Sequence, residues 1–289
     1  MSRLAVFLLR LLGRLPLAAL YVLSDVVLYP VVRHVVRYRR RVVEKNLGLA
    51  FPDKSDQERL LIERRFYHHL CDILVETVRL QYMSPEELSR RFQWQPPAAT
   101  HHPSSSTDSR FTLCYLAHYG NWEWLTARLM PTDHHGTLFI YHPLHNTSFD
   151  RWLGAVRSRF GTELVDMHHV SERLDTLGAT HRHYHVLAIS DQLPKEQYVR
   201  HFHHFMGIKS KVLTGTEQLI RHYGMQVVYC HVTCPRRGYY VCRPIPLTLE
   251  ESNATHSPFP YTDAYADLLQ QQINDAPHLW LWSHDRWRR

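Results

Sequence analysis

An apolar segment that ends in a histidine and a glycine is the feature that most constrains this chain. Residues 111–117 read FTLCYLA, which has the length and composition of a buried strand, and HYGNWE follows directly. On a single α-helix His118 and Glu123 would be offset by roughly 140°, because each residue advances about 100°. They could not cooperate in that arrangement. We therefore expect His118 before the helix, at the exit of the strand.

The residues after His118 predict a turn and the start of a helix. Gly120 can adopt the turn conformation, and Asn121 can cap the helix by accepting a backbone N–H. Glu123 then falls in the first turn, where the helix dipole favours an ionised carboxylate. From there the carboxylate is expected to reach back to the imidazole of His118.

Such a pair suits O-acyl transfer. An imidazole held by a carboxylate can take the proton of a hydroxyl as that hydroxyl attacks an acyl group. The competing interpretation is structural: His118 is one of 23 histidines in the chain, and Glu123 would be an ordinary first-turn acid.

An apolar stretch near the N-terminus predicts a membrane anchor. Residues 15–32 are mostly apolar, and a basic cluster from Arg33 to Lys45 follows them. The stretch is short for a membrane span, which needs about 20 residues, and Asp25 adds a cost at the bilayer centre. A half-buried helix at the interface is therefore as compatible with the sequence as a full span. The third interpretation is a soluble protein whose first helix is core.

Orientation and domain organisation follow from the same segment. The basic cluster is expected to lie at the anionic cytoplasmic leaflet, which places the rest of the chain in the cytoplasm. We expect an anchor at residues 1–40 and a catalytic domain at residues 41–289, because the length and the 44% hydrophobic content suit one large core. The net charge of +7 indicates an anionic partner: a phospholipid surface, a phosphorylated lipid, an acidic carrier protein or nucleic acid.

Cysteine and histidine spacings give no disulfide framework and no metal signature. The cysteines are five in number and lack a Cys-x-x-Cys pair, so reduced thiols are expected. Cys114 lies on the same strand face as His118 and is an alternative nucleophile. His-His pairs occur without a repeated ligand spacing, so no metal site is predicted, with zinc or iron as the alternative.

Helical and apolar segments alternate along most of the chain. Ser55 and Ser84 carry capping signals for two helices, and a polar loop is predicted from Gln95 to Ser109. Strands are predicted at residues 111–117, 137–141, 162–165, 186–189, 226–231 and 239–243. Helices are predicted at residues 122–129, 148–160, 171–177, 215–223 and 262–274. This pattern predicts an α/β fold with a mostly parallel sheet, helices on both faces, and an N-terminal membrane-anchoring helix.

Ligands of such sheets bind at the carboxyl ends of strands, where His118 and Asp191 are both placed. The spacing His118-x-x-x-x-Glu123 resembles the H-x-x-x-x-D/E signature of the glycerolipid and lysophospholipid acyltransferase superfamily. The chain is most similar to the late acyltransferases of lipid A biosynthesis. Further similar stretches are residues 40–52 (RRVVEKNLGLAFP), 146–161, 190–194 (SDQLP), 214–215 and 279–287 (LWLWSHDRW).

The resemblance covers nearly the whole chain and implies a reaction. An acyl group on acyl carrier protein or CoA would pass to a hydroxyl of a lipid A precursor, without a covalent acyl-enzyme and without a cofactor. His118 would be the base and Glu123 its partner. The implied partners are acyl carrier protein, a lipid acceptor and the membrane, but not nucleic acid. The implied location is the bacterial inner membrane, with the catalytic domain facing the cytoplasm.

The resemblance also implies substrate-binding residues. An arginine of the Arg157-x-Arg159 segment and Asp191 correspond to functional positions of the family, with Arg157 as the first choice. Asn121 is counted with them. An arginine can bind a phosphate or a developing oxyanion, and an aspartate at a strand end can orient it. The alternatives are a solvated helix charge for either arginine and a turn-forming residue for Asp191.

One position departs from the family pattern. An arginine commonly follows the tyrosine of the second strand, whereas His142 stands there in this chain. The alternatives are therefore acylation of another acceptor, such as a lysophospholipid or an aminolipid, and a non-catalytic membrane-surface binding protein.

Overall fold

The computed structural model describes residues 3–95, 109–130, 132–249 and 257–288. Most of the loop predicted between Gln95 and Ser109 lies outside the described residues. The helices are α1 (Arg3–Gly13), α2 (Leu17–Val35, with π-helical turns from Ser24 onward), α3 (Arg40–Ala50), α4 (Asp56–Leu80), α5 (Pro85–Arg91), α6 (Trp122–Arg128), α7 (Thr147–Arg157), α8 (Val170–Gly178), α9 (Gly215–Tyr223) and α10 (Pro260–Asp275). The strands are β1 (Phe92–Trp94), β2 (Phe111–Leu116), β3 (His135–Tyr141), β4 (Glu163–Asp166), β5 (His183–Ile189), β6 (His201–Phe205), β7 (Ile208–Val212), β8 (Gln226–Arg236) and β9 (Tyr239–Pro246).

Within the described ranges, the main sheet has seven strands in the order β1-β9-β8-β2-β5-β3-β4, and only β8 and β9 pair antiparallel. Every residue of β2 is buried, as expected for a central strand covered on both faces. Helices flank this sheet, so the predicted α/β class with a mostly parallel sheet is confirmed. β6 and β7 form a separate hairpin that the sequence did not predict.

The hairpin turns at two residues with positive φ, Met206 (54°) and Gly207 (73°). Two central residues of that conformation form the turn type that matches the twist of paired strands. The turn fixes the register of β6 against β7, with Phe205 opposite Ile208 and His201 opposite Val212.

Both predicted helix caps are present. The Ser55 hydroxyl accepts a bond from the backbone N–H of Glu58, and the Glu58 carboxylate accepts one from the backbone N–H of Ser55 at 2.7 Å. The Ser84 hydroxyl accepts a bond from the backbone N–H of Glu87, ahead of α5. The Ser55 cap begins α4, the long helix against which the N-terminal helices pack.

The apolar helix α2 is the one helix in the described ranges that is long and apolar enough to cross a membrane, judged by length and composition. One side of it packs on α4 through polar side chains. Tyr21 donates to Glu76 at 2.6 Å, and Ser24 donates to Asp72 at 2.7 Å. Arg33 donates to Glu63 at 2.8 Å.

The other side of α2 exposes apolar residues, namely Val22, Val26, Val27, Val31 and Val35. Asp25, which the sequence presented as a cost to membrane insertion, is held by two hydrogen bonds from Arg237, of 2.7 and 2.8 Å. Arg237 lies between β8 and β9, so the charge of Asp25 is balanced by the body of the protein. The first helices are therefore packed on the sheet domain along one face and uncovered along the other.

Candidate active site

The candidate site lies where β2 and β5 end. These strands are parallel neighbours in the sheet, and Leu116 is in register with Ile189. His118 and Asp191 each follow two residues later, so parallel pairing brings their side chains to the same edge. The sequence placed each residue at a strand end, and the structure adds that the two strands are adjacent.

His118 is held by Asp191. The Nδ1 of the imidazole donates to Oδ1 of Asp191 at 2.8 Å, and the backbone N–H of His118 donates to Oδ2 at 3.1 Å. Trp280 also donates to Oδ2 through Nε1, at 2.8 Å. The side chain of Asp191 is 3% exposed and that of His118 is 19% exposed. A proton fixed on Nδ1 leaves Nε2 as the nitrogen that can accept another.

The carboxylate of Asp191 is kept ionised despite its burial. Burial alone would raise its pKa, but the neighbouring His118 and the hydrogen bonds from His118 and Trp280 outweigh that effect and hold the pKa below its usual range. An ionised, immobile carboxylate beside an imidazole stabilises the imidazolium that forms when the ring takes a proton.

The turn after β2 is fixed by the C-terminal segment. Leu281 donates its backbone N–H to the carbonyl of His118 at 3.0 Å, and Gly120 donates to the carbonyl of Leu279 at 3.0 Å. Gly120 has a φ of +59°, and a Cβ at this position would lie 2.9 Å from Cγ1 of Val232. Both the backbone conformation and the close contact explain glycine at this position.

Two side chains border the Nε2 side of His118. The amide nitrogen of Gln192 lies 3.3 Å from His118 Nε2, and the indole of Trp122 meets the imidazole edge-on at a centroid distance of 5.2 Å. Trp122 also donates its Nε1 to the Glu123 carboxylate at 3.1 Å. Trp122 therefore contacts both residues of the predicted pair.

The predicted hydrogen bond between His118 and Glu123 is replaced by two other pairs. The Glu123 carboxylate accepts two hydrogen bonds from Arg157, from Nε at 2.7 Å and from Nη2 at 2.6 Å. Burial lowers the pKa of the Arg157 guanidinium, but the ion pair with Glu123 outweighs it and raises the pKa overall. The carboxylate that hydrogen-bonds the His118 imidazole is Asp191, whereas Glu123 pairs with the arginine at the end of α7.

Asn121 caps α6 as predicted, accepting the backbone N–H of Trp124 at 2.8 Å. Its amide nitrogen donates to Glu76 at 2.6 Å, and the whole residue is inaccessible to solvent. Both ends of the Asn121 side chain are therefore bound within the protein, and its assignment as a substrate-binding residue stays a prediction.

The two arginines that the sequence left open are separated clearly by their contacts. Arg157 lies 5.0 Å above the ring of Phe139 and binds Glu123. Arg159 instead donates to the carbonyls of Leu80 and Met83, just beyond the end of α4. Of the two, Arg157 is the one joined to a residue of the candidate site, and its functional role stays a prediction.

Cys114 is unsuited to act as a nucleophile. It is fully buried in the middle of β2, and a hydrogen bond with Cys230 together with burial raises the pKa of its thiol well above the usual range. The reactive thiolate is therefore disfavoured. All five cysteines are free in the structure.

Trp280 and Arg286 lie in the C-terminal segment 279–287, and no role for either of them was predicted from the sequence. Trp280 binds Asp191 directly. Arg286 is 3% exposed, and its Nε and Nη1 have no hydrogen-bond partner among the described residues; burial lowers its pKa to about 10. It lines a small cavity together with Asp191 and Phe205. In the sequence these residues are visible as a cluster of tryptophans beside an arginine. That pattern does not indicate which residues they contact.

None of the residues around His118 belongs to a group with metal-ligand geometry. Within the described ranges one such group occurs, formed by His201, His203 and Asp263, and it lies on β6 and α10. The chemistry available at the candidate site is therefore that of an imidazole base, a buried carboxylate and an arginine–glutamate pair.

Comparison with known proteins identifies a family to which the chain is similar. The sequence model of a family described as bacterial lipid A biosynthesis acyltransferase matches residues 2–289. No curated protein matches the chain significantly.

Proposed function

Because this chain belongs to the bacterial lipid A biosynthesis acyltransferase family, we propose that it moves a fatty acyl group from an acyl carrier thioester to a hydroxyl of a lipid A precursor. The family consists of acyltransferases of lipid A biosynthesis. The acyl donor, the roles of individual residues and the cellular location of the reaction are what we propose in addition.

The observation that carries the mechanism is the bond between His118 Nδ1 and the buried Asp191. With Nδ1 protonated, Nε2 takes the proton of the acceptor hydroxyl as its oxygen attacks the thioester carbon. The C–O bond forms, the C–S bond breaks, and the proton on Nε2 passes to the departing thiolate. Asp191 stabilises the imidazolium during the interval, and no covalent acyl-enzyme is needed.

Glu123 acts in this proposal through Arg157. A guanidinium fixed by two hydrogen bonds loses little freedom when it binds a second anion. Arg157 is assigned to a phosphate of the acceptor or to the oxyanion that develops on the thioester carbonyl. Glu123 is then a positioning residue.

The proposed location is the bacterial inner membrane, with the sheet domain in the cytoplasm. The uncovered apolar sides of α1 and α2 support contact with lipid, including Phe7, Leu8 and Leu11 of α1. α1 packs on α4 and α7, and α7 ends at Arg157. A lipid acceptor held at the membrane surface would therefore approach the side of the protein that carries the site.

The contact of α2 with α4 favours an interfacial helix over a free-standing span. Its polar residues Tyr21, Ser24 and Arg33 are engaged with α4, and only one side is left for lipid. The arginines that follow, Arg37, Arg39, Arg40 and Arg41, border one surface depression and supply positive charge for anionic lipid or an acidic carrier protein.

The test is a transfer assay in detergent. Purified protein is incubated with acyl carrier protein charged with a labelled fatty acid, and with acceptors that include a tetra-acylated lipid A precursor, lysophospholipids and an aminolipid. His118→Ala is compared with wild type and with His222→Ala, a matched exposed histidine at the end of α9. We expect label in the lipid A precursor with wild type and His222→Ala, and none with His118→Ala.

Each outcome has a distinct meaning. Transfer to a different acceptor would keep the chemistry and replace the lipid A precursor. In parallel reactions with labelled acyl-CoA in place of the charged carrier protein, transfer from acyl-CoA alone would replace the donor. Wild-type transfer by His118→Ala would refute the assigned base.

A further inference from the structure

Four side chains converge between the β6–β7 hairpin and α10, apart from the residues around His118. His201 and His203 lie two positions apart on β6, so they project from the same face of the strand. Asp263 and Asp267 lie one turn apart on α10 and face them. From this arrangement we propose a zinc-binding site that clamps the hairpin to α10.

The candidate ligand atoms are close enough to share one ion. His201 Nε2 lies 2.8 Å and His203 Nδ1 lies 3.0 Å from Oδ1 of Asp263. One ligand atom from each of the three residues lies within 4.8 Å of the others. Tetrahedral zinc with bonds of about 2.0–2.1 Å to nitrogen and oxygen needs ligand atoms about 3.3 Å apart. Small side-chain rotations meet that requirement.

The outer contacts orient each ligand for a metal. The Nε2 of His203 donates to Oδ1 of Asp267 at 2.8 Å. A proton fixed on Nε2 leaves the lone pair of His203 on Nδ1, the nitrogen that faces Asp263. Asp267 is thus the carboxylate that commonly lies behind a metal-bound histidine.

Asp263 is oriented in the same way. The hydroxyl of Ser257 donates to its Oδ2, which leaves Oδ1 for the ion. The ring of His201 packs on Phe259 at a centroid distance of 5.0 Å, which limits its rotation. Hydrogen bonds therefore fix the atom that His203 and Asp263 each present, and Phe259 restrains the ring of His201.

Burial suits a site of three protein ligands and one open position. The side chains of His201, His203 and Asp263 are 17%, 18% and 19% exposed. They are shielded enough to strengthen coordination, yet water can supply the fourth ligand. Two imidazoles and a carboxylate favour zinc or a neighbouring transition metal over magnesium or calcium, which prefer oxygen ligands alone.

The proposed zinc site is connected through packed residues to Asp191, the hydrogen-bond partner of His118. Phe205, at the end of β6, packs against Trp280 at a centroid distance of 5.8 Å, and Trp280 donates to Asp191. α10 also lines the small cavity beneath Asp191, through Thr262, Tyr265, Ala266 and Leu269. Zinc would therefore stabilise the wall that carries Trp280 without contacting substrate.

The competing interpretation is a metal-free network of protonated histidines and aspartates. Zinc stoichiometry separates the two. Full-length protein without an affinity tag is loaded with Zn²⁺, passed through a desalting column with a weak chelator, and analysed for metal. We expect about one zinc ion per chain in wild type.

Three variants test the assignment of the ligands. His201→Gln/His203→Gln should lose the retained zinc and the rise in melting temperature that zinc causes in wild type. His168→Gln/His169→Gln, an exposed histidine pair after β4, is the matched control and should retain both. Asp267→Asn should fold normally and weaken zinc affinity about 10- to 100-fold, as expected for loss of an outer carboxylate.

Cobalt gives a direct view of the coordination sphere. Co²⁺-loaded wild type should show visible absorption typical of four-coordinate nitrogen and oxygen ligands, and the His201→Gln/His203→Gln protein should lack it. No retained zinc in wild type, or equal retention by the two double variants, would overturn the site. Neither readout depends on acyl transfer, so this result is independent of the proposed function.

Discussion

The buried Glu123 and the partly buried Arg157 form an ion pair with two hydrogen bonds, and this pair removes from His118 the carboxylate nearest to it along the chain. The imidazole binds Asp191 instead, 73 residues away. The candidate site is therefore two pairs, a histidine with an aspartate and an arginine with a glutamate. Trp122 contacts a member of each. The two pairs predict different consequences when they are broken.

Replacing Asp191 should disable the base. In Asp191→Asn the amide no longer supplies negative charge to the imidazolium and can hold the ring in the wrong tautomer. We expect kcat to fall on the order of 10²–10⁴-fold, with little change in KM. Asp53→Asn, in an exposed loop, serves as the control in steady-state transfer assays. An unchanged kcat would exclude Asp191 as the orienting group.

Breaking the arginine–glutamate pair should show coupling. Arg157→Gln leaves the Glu123 carboxylate buried and unpaired, which costs on the order of 3–5 kcal/mol in the free energy of unfolding. Glu123→Gln should fold and lower turnover by releasing Arg157. The double variant should lose less stability than the sum of the single variants. Chemical denaturation and transfer assays measure both effects.

Two outcomes would contradict this assignment. Additive stability losses would mean that the two side chains do not act as a pair. Wild-type turnover in folded Glu123→Gln would mean that neither a direct contact with His118 nor the positioning of Arg157 contributes to catalysis.

The fully buried Glu76 should make stability depend on pH near neutrality. Burial raises its pKa to about 7, against the opposing hydrogen bonds from Tyr21, Tyr240 and Asn121. The folded state therefore favours the protonated acid relative to the unfolded state. The stabilisation is full below the unfolded pKa of about 4.5 and is lost as the pH rises through 7.

Glu76→Gln removes this titration. The melting temperature of the variant minus that of wild type should increase between pH 5 and pH 8, whatever constant offset the new amide introduces. Glu172→Gln is the control, because Glu172 is exposed and its difference from wild type should stay flat. A flat difference for Glu76→Gln as well would show that the carboxyl titrates normally.

The elements that the sequence identified are those with strong local patterns. β2, β5 and the capped helices α4 and α5 were predicted because apolar runs and capping residues are local signals. The hairpin was missed because β6, with the sequence HFHHF, mixes histidine with phenylalanine and shows no clear apolar period. α3, with the sequence RRVVEKNLGLA, was interpreted only as a basic cluster and a stretch similar to the family.

The partners within the site depend on strand order, which local patterns do not contain. β5 lies beside β2 although β3 and β4 come between them in the chain. Without knowledge of the strand order, Glu123 was the carboxylate nearest to His118 along the chain. Asp191 was also placed at a strand end, but nothing local to the sequence showed that its strand lies beside β2. The contact of Arg157 with Glu123 could not be predicted for the same reason, because local patterns do not show how α6 and α7 pack together. The strand-end positions of His118 and Asp191 were therefore predictable, but the pairing of their side chains was not.

The uncovered side of α2 should control membrane binding. Val26→Asp/Val35→Asp places two charges on its exposed side without touching the polar contacts with α4. Burial of a valine side chain in the interface contributes on the order of 1.5 kcal/mol, so partitioning onto vesicles should fall at least about 10-fold. Flotation with vesicles that contain phosphatidylglycerol measures the bound fraction.

The matched control is Tyr198→Asp/Phe202→Asp, which alters two exposed aromatic residues outside the N-terminal helices. It should bind vesicles as wild type does, because α1 and α2 are intact. Equal loss of binding in both proteins would assign lipid contact to a broader surface. Unchanged binding by Val26→Asp/Val35→Asp would assign membrane attachment to α1 and to the arginines after α2. Binding through the arginines would then weaken as the salt concentration is raised, because salt screens their charge.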